Sequence, residues 1–259
     1  MKNVLIIPAV LLSIGSMFVT SCNNSSADKA MKSPTTNTAD SASGKENAEK
    51  NEKEGSENID KNSIAKPVSM VEGADAKSKT NENLQAAYKG ETTASAKYAA
   101  YSTKAEQEGY HEIAMLFKAA SMSENIHAKN HKAVLQESGI STPVITPEFK
   151  VSSTKENLDD AIKGETYEVT TMYPEFLTVA NAANDQMALI SMTYAYKTEK
   201  KHKLMYENAL VALQNNTVKS LPSVYFICPT CGNTYETKAP ARCGISMTSG
   251  EKFFKVNSL

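Results

Sequence analysis

Arginine is nearly absent from this 259-residue chain. Arg242 is the only one, and lysine supplies the rest of the 28 basic residues. Paired guanidinium contacts to phosphates or base edges are therefore excluded as a main activity. Neither sign of charge is in excess: 29 acidic residues leave a formal net charge of −1, so no nucleic-acid partner is expected. Residues 23–80 contain no aromatic side chain. Cysteine is scarce, at Cys22, Cys228, Cys231 and Cys243. Setting aside Cys22, which borders the N-terminal apolar run, three remain, and an odd number cannot close as an intramolecular disulfide framework.

The one long apolar run is the first. Lys2 precedes a largely apolar stretch, Val4–Val19, which ends in Val19-Thr20-Ser21-Cys22. A retained membrane anchor and a cleaved secretory leader are both compatible with such a run. The small residue before a cysteine resembles the lipobox of bacterial lipoproteins, and this favours residues 1–21 as a signal peptide with Cys22 the lipidated N-terminus. The expected location is outside the cytoplasm, lipid-anchored to a bacterial membrane. Asn23 points to the outer membrane, or a periplasm-facing site, in a Gram-negative cell. Residues 22–80, rich in Asn, Ser, Lys, Glu, Ala and Thr, read as a disordered tether spanning roughly 40 Å root-mean-square.

From residue 81 the pattern is helical and duplicated. Glu82-Asn83-Leu84 returns as Glu156-Asn157-Leu158, and Lys89-Gly90-Glu91-Thr92 as Lys163-Gly164-Glu165-Thr166, both 74 residues later. Glu124-Asn125-Ile126-His127 returns as Glu199-Lys200-Lys201-His202, now 75 later. A repeated helical hairpin is the economical reading. Helices are expected over about 81–108, 111–137, 154–181 and 184–214, with Gly139, Pro143 and Pro147 marking a longer crossover. That is an all-α, ferritin-like four-helix bundle over 81–215. Pro174 should kink the third helix or distort its hydrogen bonding.

Each helix carries an apolar 3/4-spaced seam interrupted near its middle by ionisable groups: Glu91; Glu124 and His127; Glu165 and Glu168; Glu199 and His202. Burying five carboxylates and two imidazoles is prohibitive without compensating cations. A single Glu-x-x-His is usually a solvated pair. Two in register, with a Glu from each of the other helices, complete the ligand set of a di-iron carboxylate bundle, and such ligands suit iron or manganese. His131 continues its seam without a repeat counterpart and reads as a supporting or surface residue; His111 has no assigned role. Tyr98 and Tyr173 are either core packing or phenols hydrogen-bonded to the metal carboxylates. The repeat breaks where Ala94 corresponds to Glu168, one carboxylate more than a symmetric site needs.

The stretches Glu82–Glu91, Glu106–Ala120, Glu124–His131, Gly164–Phe176 and Glu199–His202 resemble the rubrerythrin family over about residues 79–259. The resemblance implies a non-haem di-iron peroxidase that reduces hydrogen peroxide to water with electrons from a donor that the sequence does not name. Glu91, Glu124, Glu165, Glu199 and His202 would hold two iron ions, and Glu168 and His127 would alternate at one of them. It also implies a homodimer in which the tail of one subunit lies near the di-iron site of another. A ferroxidase or iron-handling protein, and a non-catalytic metal-binding lipoprotein, are the rival readings.

Beyond Leu221-Pro222, Cys228-Pro229-Thr230-Cys231-Gly232 is a metal knuckle, in which turn amides can hydrogen-bond thiolate sulfurs. Cys243-Gly244 follows, but the fourth ligand position holds Ser246. Residues 222–259 thus resemble the rubredoxin-like tail of the family with three of its four thiolates. A third iron or a zinc could bind there, with the Ser246 oxygen as a poorer fourth donor, and a Cys228–Cys231 disulfide is the competing state in an oxidising compartment.

Overall fold

The computed structural model describes residues 73–259. The apolar leader, Cys22 and tether residues 23–72 lie outside the described residues. The first helix, α1, spans Gly73–Gln107, so it takes in the last eight residues of the expected tether. Ala76, Thr80, Asn83 and Ala87 are buried at 3/4 spacing, and Thr80 Oγ1 donates to the Ala76 carbonyl. Small residues there pack a helix face, where low aromatic content had read as disorder.

Helix α2 spans His111–Glu137, α3 Thr154–Tyr167, α4 Tyr173–Ala182 and α5 Gln186–Gln214. Helices α3 and α4 are one rod interrupted by a π-helical turn, Glu168–Met172. Pro174 sits in the first turn of α4. It has no N–H to give and its ring crowds the carbonyl four residues back, and the wider i→i+5 turn takes up that defect. A π turn holds one extra residue, which accounts for the repeat spacing rising from 74 before it to 75 after it.

The same spacing of 75 relates the two hairpin turns. Gly109 and Asn184 are both left-handed, with φ of 84° and 52°. The next residue in each case reaches back, Tyr110 N–H to the Ala105 carbonyl and Asp185 N–H to the Ala180 carbonyl, satisfying carbonyls that the helix end would orphan. The crossover, residues 138–153, has no regular structure. It ends in a capping box in which the Ser153 side chain accepts from the Glu156 N–H and Glu156 accepts from the Ser153 N–H.

Two apolar clusters fill the bundle on either side of the ionisable seams. One centres on Tyr98, Tyr101, Phe117 and Tyr206, the other on Leu84, Leu135, Tyr173 and Met192. After α5 a short three-stranded antiparallel sheet forms, β1 Tyr225–Ile227, β2 Thr234–Glu236 and β3 Phe254–Val256, in the order β2-β1-β3. It packs on α2 and α5 of its own chain: Ser123 Oγ donates to the Gly232 carbonyl at 2.7 Å and Asn130 Nδ2 to the Thr230 carbonyl at 2.9 Å. No described helix is long and apolar enough to cross a membrane.

Candidate metal centre

Four helical faces bring Glu91, Glu124, His127, Glu165, Glu199 and His202 together, each at most 2 % exposed. They form two overlapping groups. Glu91, Glu124, His127 and Glu199 are one; Glu124, Glu165, Glu199 and His202 are the other. Glu124 and Glu199 belong to both. Nδ1 of His127 lies 2.9 Å from Glu124 and 2.8 Å from Glu199, and Nδ1 of His202 lies 3.0 Å and 2.8 Å from the same two residues.

The tail sets the orientation of both imidazoles. Nε2 of His127 donates to the Cys231 carbonyl at 3.0 Å, and Nε2 of His202 to Thr234 Oγ1 at 2.9 Å. With Nε2 of each ring committed to the tail, Nδ1 is the nitrogen turned inward, able to offer a lone pair to a cation once its own proton leaves. Beyond those close Glu–His approaches, Glu124 Oε1, Glu165 Oε2, both Glu199 oxygens and His202 Nδ1 are buried and make no hydrogen bond among the described residues. Buried polar atoms left unpaired are costly, and these five converge on one place.

The charge balance has the same meaning. Burial pushes the Glu91 carboxyl up to about 7 and, with Glu199 next, raises Glu165 well above the carboxylate range. Burial disfavours the charged form of Glu124 and of both imidazoles as well. There the Glu–His attraction wins, His202 leading for Glu124, which falls to about 2, while His202 rises to about 9 and His127 well above its usual value. Two imidazolium charges are too few for this many carboxylates; two di- or trivalent cations would release both protons and satisfy every orphaned atom. The donor set fits a pair of iron ions.

Both phenols are hydrogen-bonded to carboxylates of the cluster. Tyr98 Oη donates to Glu165 Oε1 at 2.7 Å, and Tyr173 Oη donates to Glu91 Oε1. Glu168 differs from its expected burial. It sits on the π turn, half-buried and outside both groups. It lines a cavity of about 360 Å³ with Gly90, Ala94, Tyr98 and Gly164; the small side chain of Ala94, its repeat counterpart, leaves that side open. A larger cavity of about 480 Å³, against Leu259, is lined by none of these ionisable residues.

In the tail, Cys228, Cys231 and Cys243 are buried free thiols clustered for a metal, with no disulfide among them. Ser246 does stand at the fourth corner, its Oγ 3.2 Å from Cys228 Sγ. Ile245 N–H and the Tyr235 hydroxyl point at Cys243 Sγ, at 3.4 and 3.5 Å, which is the sulfur-directed bonding of a knuckle. The sequence reading missed Gly232, Thr234, Ser123 and Ser191. Gly232 alone carried a signal, as the residue closing Cys-x-x-Cys. Its φ is +76°, and a Cβ there would lie 2.4 Å from His127 Nε2.

The fold and its buried carboxylate–imidazole site define a ferritin-like metal-binding four-helix protein. The rubrerythrin family model matches residues 82–210. Rubrerythrin-2 of Clostridium acetobutylicum is 35% identical over 175 residues, 67% of this chain and 95% of that protein. Nigerythrin of Nitratidesulfovibrio vulgaris is 32% identical over 176 residues, 67% of this chain and 85% of that one. A structure of fully reduced, all-ferrous nigerythrin superposes with a TM-score of 0.61 at 31% identity, covering 68% of this chain and 86% of that one. The chain belongs to the rubrerythrin family.

Proposed function

We propose that this protein is a non-haem di-iron peroxidase that reduces hydrogen peroxide to water in defence against oxidative stress. The observation that carries this reading is the junction between the two metal-binding groups. The Cys231 carbonyl is bonded to the ring of His127, so electrons entering at the cysteine cluster have a route of one backbone segment and one hydrogen bond to the carboxylate site. An enzyme that only oxidises ferrous iron has no need of that input.

Glu91, His127, Glu165 and His202 would be terminal ligands and Glu124 and Glu199 bridges. Iron so held would supply two electrons to the O–O bond. The cavity beside Glu168 and Tyr98 offers the substrate a way in, with Lys89 and Lys97 at its walls. Glu168 would replace His127 as a ligand in the oxidised state, because a carboxylate in place of a neutral imidazole offsets added positive charge. The resemblance implies a homodimer in which the tail of one subunit lies near the di-iron site of another; here the chain's own tail packs against His127 and His202.

Export and lipid anchoring through Cys22 complete the proposal, on the strength of the lipobox-like sequence. Anaerobic reduction of the purified protein, then peroxide addition under optical and Mössbauer observation, tests it. Peroxide consumption tied to an external reductant is expected. Consumption of ferrous iron without reductant would favour the ferroxidase reading, to which Ser246, a weaker ligand than cysteine in the electron-input module, lends support.

A further inference from the structure

A buried imidazole outside the metal-binding groups has no part in the reaction so far. His131 lies on α2 one turn beyond His127 and is fully buried. Its Nδ1 is 2.8 Å from Ser191 Oγ and its Nε2 is 3.1 Å from Tyr173 Oη. Tyr173 in turn bonds Glu91 Oε1.

The donor inventory gives this chain one direction. A carboxylate holding a metal is ionised and only accepts, so Tyr173 commits its single proton to Glu91. The phenol oxygen must then accept from His131, which places the imidazole proton on Nε2. Nδ1 is left to accept from the Ser191 hydroxyl. Burial, and then the charge on His127, holds His131 down at about 3, so the ring is neutral with one proton to give.

The other half of the repeat lacks this backing. Tyr206 stands 75 residues after His131, as His202 does after His127 and Tyr173 after Tyr98; the counterpart missing from the sequence reading is thus a tyrosine. The rings of Tyr98 and Tyr206 meet edge-on at 5.4 Å, yet the Tyr206 hydroxyl has no hydrogen-bond partner among the described residues. Glu165 is held by one phenol alone. Glu91 is held by a phenol, an imidazole and a serine hydroxyl in line, with only Oε2, 3.9 Å from His127 Nδ1, left for a cation.

Resting on the di-iron reading of the site, we propose that His131 is a positioning residue that, through Tyr173, fixes Glu91 as the unchanging one-oxygen ligand of the metal position shared with His127. That is the position where His127 and Glu168 would exchange. A stiff Glu91 lets one ligand leave without loss of the ion.

Cobalt(II) titration of the metal-free full-length protein, followed by visible absorption, resolves two steps at the carboxylate site, with cobalt at the three cysteines set apart by its thiolate charge-transfer bands. His131→Phe keeps the bulk and removes both hydrogen bonds. It should weaken one step about tenfold or more and spare the other, while His131→Gln, whose amide can both donate and accept, should stay within about threefold of the parent. Nitrogen-15 NMR of the parent loaded with diamagnetic zinc(II), which keeps Glu91 ionised, should show His131 protonated on Nε2, and Ser191→Ala should shift that ring towards a tautomer mixture. Two unchanged steps in a folded His131→Phe, or a parent ring protonated on Nδ1, would overturn the proposal. Should His131→Phe not fold, Ser191→Ala decides: unchanged tautomer and unchanged cobalt steps also overturn it. No peroxide enters these measurements. A chain that splits the cobalt steps but consumes no peroxide would sink the peroxidase reading and leave the role of His131 standing.

Discussion

Nε2 of His127 donates a 3.0 Å hydrogen bond to the backbone carbonyl of Cys231, 104 residues further along the same chain. The bond fixes the tautomer of a candidate metal ligand and joins the two metal-binding groups through protein atoms.

Gly232 is what allows that approach. A methyl group there would sit 2.4 Å from His127 Nε2 and 3.0 Å from Ser123 Oγ, on a backbone at φ +76°. Gly232→Ala should destabilise the protein by about 1–3 kcal/mol, read from urea unfolding. Reductant-dependent peroxide consumption should fall further than iron content does. A variant matching the parent in both would show that the junction is not tightly packed.

Glu124 and Glu199 belong to both ligand groups. Glu124→Ala or Glu199→Ala should lose most of the bound iron, since each removes a donor from both positions. Elemental analysis of the purified variants decides this. Two irons per chain retained in both would rule out the bridging assignment.

Glu168 lies outside the convergent set, on the π turn beside the cavity. Glu168→Ala should still bind two irons yet lose peroxidase turnover, by about 10- to 100-fold, the usual effect of altering a supporting ligand. Equal rates at equal iron content would mean that Glu168 does not exchange with His127, and the ferroxidase reading would gain.

Glu108 ties the crossover's end to the first hairpin. It accepts the Thr154 N–H at 2.8 Å and pairs with Lys104 at 3.0 Å. Burial alone would raise its pKa, but the Thr154 bond and then Lys104 bring it below the usual value. A carboxyl depressed in the folded state contributes stability that is full above its unfolded value and is lost as pH falls through the folded one. Glu108→Gln should therefore cost about 1 kcal/mol at pH 7, measured by denaturant unfolding. The gap to the parent should close as pH drops below about 4. A constant gap across that range would contradict the assignment.

Cys22 acylation is testable without a structure. Intact-mass measurement of protein purified from its native cells should show a chain beginning at a lipid-modified Cys22. An unmodified N-terminus retaining Met1 would remove the lipoprotein proposal.

Much of the bundle was legible beforehand because periodicity is local. The 3/4 seams located α2 and α5 to within two residues at each end. The change of repeat spacing from 74 to 75 already contained the π turn, although only the backbone showed where the extra residue sits. The start of α1 was misplaced because alanine, threonine and asparagine give weak apolar signals, and their burial depends on neighbours distant in sequence.

The sequence by itself determined the ligand types, their pairing across a duplicated hairpin and the three-cysteine knuckle, since each is a spacing along one element. Tertiary structure decided what surrounds them. The tail reaches its own chain's site, Glu168 is left half-exposed beside the cavity, and His131 and Ser191 back Glu91 where Tyr206 does not back Glu165. These outcomes depend on which donor meets which acceptor between elements far apart along the chain, and the hydrogen bonds that settle them leave no period in the sequence.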